Sequence, residues 1–439
     1  MSVRELASLV WPRGGGAAPP SASPLPWQRW LAFAGPGFLV AVGYMDPGNW
    51  ATDLAGGSRF GYALLSVVLL SSLMAMVLQA LSARLGLATG RDLAQNCRAA
   101  FGKPAAVGLW MLAEIAIAAT DLAEVLGGAI ALNLLFGIPL TTGVLLTGLY
   151  ALAVLVLQHW GMRTLEALVA ALIAVIAVCF AYELVVAPVD WARARQGLSP
   201  DASILAHREM LYVAVGIIGA TVMPHNLYLH SALVQRHIRR EPATPRLRLA
   251  RAAVWESNLT LTLAFFANAA ILVLAAAAFH RPEHPQAIGV EDAYRLLSPM
   301  LGASLAGTVF ALALLAAGLN ASVTATLSGQ VVMEGFLNFR MPAWLRRIVT
   351  RLLALVPALI VVNSAGAAGV NELLILSQVI LSLQLPFAVI PLVWFSRSRP
   401  LMGELTSPRW LTAVAAAVTL LILAMNGVML GQVWDGSLN

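Results

Sequence analysis

The chain has 439 residues, 59% of them apolar and 11% charged, with a net charge of +6. That balance excludes a soluble globular fold and reads as a polytopic helical membrane protein. No polar stretch between the apolar runs is long enough to hold a core of its own, and the two cysteines, Cys97 and Cys179, form neither a disulfide framework nor a CxxC metal pattern.

In chain order, residues 1 to 30 carry Gly14-Gly15-Gly16 with Pro19, Pro20, Pro24 and Pro26 and read as a disordered cytoplasmic tail. They do not read as a cleavable signal peptide, because the first apolar run comes late and no small-residue cleavage site follows it. Residues 31 to 439 read as a single transmembrane domain. Apolar run length places spans near 31–57, 61–86, 105–134, 137–159, 164–187, 210–235, 252–279, 301–336, 346–364, 368–395 and 409–434, eleven in all. Loops 188–209 and 280–300 are expected to carry short surface helices. With the amino terminus inside, cytoplasmic segments hold 21 of the 27 basic residues, including Arg84, Arg91, Arg98, Lys103 and the arginines between 236 and 251. The asymmetry orients the chain in the cell (inner) membrane, amino terminus cytoplasmic and carboxy terminus external. It also accounts for the net charge without a nucleic-acid partner, since a basic inner face meets anionic lipid.

Two spans are interrupted: Asp46-Pro47-Gly48-Asn49 breaks the first, and Met223-Pro224-His225-Asn226 breaks the sixth. A helix in hydrocarbon pairs its backbone groups internally, so such breaks are tolerated only where the freed groups face a cavity, an ion or other protein. Their five-span separation suggests a repeat of five helices (about 31–187), a second of five (about 210–395) and an extra helix (about 409–434). An odd number of spans per repeat inverts the second copy, and inverted repeats with a broken helix in each half are the grammar of secondary transporters, with the site between the breaks.

At that site Asp46 supplies a carboxylate in mid-membrane, where an ionisable group points to function. Asn49, one helical turn on, brings its amide oxygen to the same point. Met223 offers a thioether, which suits soft transition ions and has nothing to give Mg²⁺ or Ca²⁺. Oxygen plus sulfur implies Mn²⁺, Fe²⁺ or a neighbour such as Cd²⁺, Co²⁺ or Zn²⁺. Beside them, His225 is either a proton acceptor or a cap on the freed carbonyls. In the third span, Glu114, Asp121 and Glu124 are spaced by seven and three and share one helical face. Gln79 and His230 read as structural.

The runs GYMDPGNWAT (43–52), TDLAEVLGGA (120–129) and GATVMPHNLYLHS (219–231) resemble the signature segments of the Nramp family, proton-coupled importers of divalent transition metals. The likeness covers nearly everything after residue 31. It implies a LeuT-like fold and an ion held by Asp46, Asn49 and Met223 with the carbonyls of Gly43 and Ala220, joined in some conformations by Gln378. It further assigns proton transfer to Asp121, Glu124 and His225, with an arginine at the start of span nine as exit partner; Arg351, heading a TRxxAxxP-like run, is preferred over Arg346 and Arg347. One departure stands out, since the family commonly has alanine where this chain has Gly43.

The reading is therefore a secondary active importer working by alternating access, not an enzyme, expected as a monomer and needing no cofactor beyond its transported Mn²⁺ or Fe²⁺ and its protons. No GxxxxGK[ST] motif occurs, so no nucleotide is expected to drive it. An intramembrane metalloenzyme would need a richer histidine set. A sodium-coupled amino-acid carrier on the same architecture would have no use for a thioether facing a carboxylate.

Overall fold

The computed structural model describes residues 43 to 434 apart from 160–161, 241, 282–287, 302–304 and 340–341. The proposed tail and the beginning of the first expected span lie outside the described residues. Within them the chain is helical, and no strand occurs. After a 3₁₀ turn at Gly43–Met45 come α1 (Pro47–Phe60), α2 (Leu65–Thr89), α3 (Leu93–Phe136), α4 (Leu140–His159) and α5 (Met162–Val186). The second half consists of α6 (Arg208–Val222), α7 (Pro224–Leu233), α8 (Arg246–Phe279), α9 (Val290–Leu301), α10 (Ala306–Leu337), α11 (Ala343–Ser396) and α12 (Arg409–Trp434). Two short helices, Trp191–Gln196 and Ser203–Ala206, lie in the loop before α6, and α9 lies in the loop before α10, as the mixed charge of those loops suggested. Among the described residues eight helices are long and apolar enough to cross a membrane, and α4 and α5 add the shorter apolar stretches Leu140–Leu149 and Ala171–Val186.

Local signals set the helix ends. Asp92 and Gln95 form a reciprocal capping box at the start of α3, which satisfies two of the amides a helix start leaves open. Within α3 the backbone leaves the helical region at Gly102 (φ 77°, ψ 177°), just before Pro104, so a short segment precedes the long apolar one. α11 is likewise two helices joined at a bend at Gly366 (φ 61°, ψ −151°). That conformation is closed to residues with a Cβ, and it lets one continuous chain serve as both the ninth and tenth expected spans.

The core is built where α3 packs against α10 and α11, and where α1 packs against α8. Trp50, fully buried on α1, meets Phe180 of α5 and Phe310 of α10 at ring centroid distances of 4.9 and 5.0 Å. α7 is fastened at the far end: Ser82 Oγ donates to the Leu227 carbonyl (2.6 Å), and the Leu93 amide donates to Ser231 Oγ (2.9 Å). Arg84 reaches the carbonyls of Leu405 and Thr406 and ties α2 to the turn before α12.

Gly366→Ala should destabilise the fold by about 1–3 kcal/mol through backbone strain alone. A drop of a few degrees in detergent-solubilised melting is the expected result, whereas Ala at the open helical position Gly427 should leave the melt level or slightly raised.

Candidate metal centre

Both breaks become helix starts. Asp46, with extended backbone, caps α1: its Oδ1 accepts from the Asn49 amide (2.9 Å) and from Asn49 Nδ2 (2.8 Å). Pro47 takes the first helical position, where a missing N–H costs nothing. In the other half, Met223 ends α6 and begins α7 with φ 39° and ψ 98°. A non-glycine residue at positive φ stores of the order of 1–3 kcal/mol and persists only where its surroundings over-determine it. It holds the Met223 side chain, wholly buried, among Ala116 and Ala119 of α3 and Leu381 of α11.

The two breaks touch. Asn49 Nδ2 donates to the Ala220 carbonyl across 3.1 Å, linking α1 to the last turn of α6. Asn226 Nδ2 donates to Met223 Sδ at 3.4 Å, and the same Nδ2 lies against Gly43, where a Cβ would come within 2.5 Å of it. Gly43 thus leaves room for an asparagine that an alanine would displace. Gln378 of α11 lies directly on the first turn of α1, its Nε2 only 1.9 Å from where a Cβ on Gly48 would stand. Asp46, Asn49, Met223, Ala220 and Gln378 are all 0–1% exposed.

The orientation of Asn49 differs from the sequence expectation. Its oxygen accepts from Asn268 Nδ2 of α8 (3.3 Å), and its NH₂ group, not its oxygen, faces Asp46 and Ala220. A carboxylate and a carbonyl attract a donor, so the amide turns that edge to both. A dication between them would demand the opposite edge. Reversing the amide would also require Asn268 to turn, at the expense of the hydrogen bond its Nδ2 donates to the Tyr44 carbonyl (3.0 Å). Asp46 Oδ2, Gln378 Oε1 and the Thr221 hydroxyl are buried without partners. Among the described residues no three His, Cys, Asp or Glu side chains form a metal cage, so the available donors are one carboxylate, neutral oxygens and a sulfur.

His225 follows the break, 1% exposed, with neither ring nitrogen hydrogen-bonded and Asp121 within electrostatic reach. The alternative of a cap bonded to freed carbonyls is not what the structure contains. On α3 the three acids divide between two arginines of α11. Arg351 Nη2 donates to Glu124 Oε2 (2.8 Å) and Ser322 Oγ (2.9 Å) and lies 3.7 Å from Asp121 Oδ1, while Nη1 donates to the Asp121 carbonyl (3.2 Å). Ser322 donates to the same Glu124 oxygen. Glu114 instead pairs with Arg346 at 2.9 Å and accepts from the Trp110 indole. The Arg347 side chain lies outside the described residues. Gln79 donates to the Tyr44 hydroxyl (2.6 Å) and meets His230 Nδ1 (2.8 Å), a bridge from the 3₁₀ turn to α7.

Sequence reasoning passed over Asn268, Asn226, Ser322 and Asp53. Asn268 and Asp53 carried a signal, a polar residue inside an apolar run. Asp53 is 1% exposed, and its Oδ2 has no partner. Toward the end of the bundle that carries Trp191–Gln196, a cavity of about 1080 Å³ opens between α1, α6, α9 and α11. Its walls hold Glu209, Glu291, Asp292 and Glu372 with Arg59 and Arg208, and Ala55 and Ile375 also line it.

Gly48→Ala should expel the Gln378 amide from α1 while the protein still folds. A roughly tenfold loss in affinity for a divalent transition ion by calorimetry, with unchanged elution on size exclusion, is expected if the amide is a donor. In the acid cluster, Arg351→Lys removes the forked geometry that spans two acids and a hydroxyl, and should lower stability by about 2–3 kcal/mol in chemical denaturation.

Residues 37–432 match the family model described as natural resistance-associated macrophage protein-like. The divalent metal cation transporter MntH of Xanthomonas campestris pv. campestris is 54% identical over 432 residues, 98% of this chain and 95% of that protein. A solved variant of the Eremococcus coleocola manganese transporter superposes with a TM-score of 0.82 at 38% identity, covering 93% of this chain and 87% of that one. MhsT in complex with L-phenylalanine aligns at a TM-score of 0.57 and 20% identity over 89% of this chain and 98% of that one, a likeness of fold alone and of the LeuT-like kind. Helix starts at Asp46 and Met223 linked through Asn49, an arginine-bound acid pair on α3 and a match along almost the whole length place this chain in the Nramp family.

Proposed function

We propose that the protein is a secondary active importer of divalent transition metal ions, Mn²⁺ and Fe²⁺ foremost, coupled to protons and working by alternating access across eleven helices. The observation that carries this reading is the Asn49 amide joining Asp46 of one break to the Ala220 carbonyl of the other. It brings a formal charge, a carbonyl and the neighbourhood of a thioether into one enclosed space. The relatives carry the names divalent metal cation transporter and manganese transporter, which agrees with that donor set.

In this mechanism the ion enters through the acid-walled cavity, which lies on the outer side in the proposed orientation. It displaces the Asn49 donor, and the amide flips so that Asn49 Oδ1, Asp46, the Ala220 and Gly43 carbonyls, Met223 and Gln378 surround it. An inside-negative potential of 100 mV favours inward movement by about 2.3 kcal/mol per elementary charge, so dication import is downhill before protons are counted. The proton route runs through Asp46, His225 and the Asp121–Glu124–Arg351 cluster, with Glu114 and Arg346 nearer the inner side. Two carboxyl groups facing one guanidinium are charge-balanced when one proton is aboard, and this suits the cluster to carry a single proton. A sodium-coupled amino-acid carrier would leave the strained placement of Met223 without a purpose.

The test is uptake into proteoliposomes with an internal pH dye. Mn²⁺ entry accompanied by internal acidification is expected, and entry without acidification would remove the coupling. Asp46→Asn should abolish uptake by taking the only formal charge from the site. Met223→Ala should keep Mn²⁺ transport but let Ca²⁺ or Mg²⁺ compete, because sulfur is the donor those ions cannot use. Asp121→Asn should separate acidification from metal flux, and a proportional fall of both would exclude Asp121 as a relay.

A further inference from the structure

On the side of the metal centre opposite the cavity, α7 closes the way with a polar pair that its surroundings do not satisfy. Tyr228 is wholly buried, three residues beyond His225, and its ring packs edge-on against Phe336 of α10 with centroids 5.5 Å apart. Beside its hydroxyl lies the amide of Gln384 from α11, itself 4% exposed. The amide lies close enough to the phenol to interact with it, but neither group meets full hydrogen-bond geometry with any partner. On either side of the pair α7 is fastened, by Ser82 to the Leu227 carbonyl and by Leu93 to Ser231, so the imperfect pair sits inside a held seam.

We infer that Tyr228 and Gln384 are gating residues of the inner route: their poorly satisfied polar groups weaken the closed seam and are hydrated when α7 parts from α10 and α11. The inference rests on the transport reading for its direction, since the inner side is where the ion must leave. A buried donor or acceptor without good geometry bears its desolvation cost in full, and water relieves it on opening. The pair therefore tilts the equilibrium toward opening without touching the ion, and gives the leaving dication its first polar surroundings beyond the site. Replacing both partners with apolar groups of similar shape removes the penalty from the closed state alone.

Cys97 provides a native reporter, because it lies near Tyr228 on the short first segment of α3 and is wholly buried here. In a Cys179→Ala background, reaction of Cys97 with a membrane-permeant maleimide measures how often this seam opens. The double variant Tyr228→Phe, Gln384→Leu should slow labelling about tenfold, and Tyr228→Phe alone, which keeps the ring on Phe336, should slow it less. Mn²⁺ uptake should fall in maximal rate more than in KM. Labelling that is unchanged or faster in both variants, or a parent protein whose Cys97 never reacts, overturns the gate. A parent that takes up no Mn²⁺ but whose labelling still slows in the variants would refute the transport reading and leave the gate standing.

Discussion

Breaking two helices where no water is at hand releases backbone and side-chain groups that must find partners within the protein. The first break solves this by converting Asp46 into a cap whose oxygen is shared by the backbone and side chain of Asn49. The second solves it by forcing Met223 to positive φ, so that one residue ends α6 and starts α7. Neither solution closes on itself. Asn49 must lean on Ala220 beside the other break and on Asn268 of α8, and Asn226 must lean toward Gly43. The two halves are held together by the needs of their interruptions, and the enclosed polar region is the remainder that those needs leave.

The acid cluster on α3 obeys the same economy at a different place. A carboxylate taken out of water needs a partner of opposite charge and further hydrogen bonds to be tolerated. Arg351 provides the charge, Ser322 the extra donor, and the Asp121 carbonyl holds the guanidinium in line. The planar fork of arginine reaches three groups from two helices at once. Glu114, two turns away and less enclosed, has its own arginine in Arg346 and an indole beside it, so the stripe of acids works as two separate charge pairings.

The breaks were legible because Pro in a long apolar run has few structural explanations, and Asp46 because a charge there has fewer still. The pattern of three acids gave their common face from helical geometry, but it could not say that α11 would divide them between two arginines, since residues more than 220 apart in sequence meet only through the fold. The direction of the Asn49 amide was equally hidden: which edge faces Asp46 depends on Asn268, a single polar residue within α8. At Gly102 and Gly366 the expected spans begin or end within a few residues of the bend, but the form of the connection was hidden for another reason. Apolar run length locates spans but is blind to whether the chain between two of them turns or continues.

The pressing of Gln378 onto Gly48 carries a consequence for affinity. The amide sits on the turn that Asp46 caps, yet it belongs to a helix hinged by a glycine bend twelve residues earlier. In the proposed mechanism, any swing of that half-helix changes how many oxygens stand around a captured ion. Tightness of grip is thus a function of tilt, and a rigid-body movement far from the ion can loosen it without any donor of the two interrupted helices moving at all.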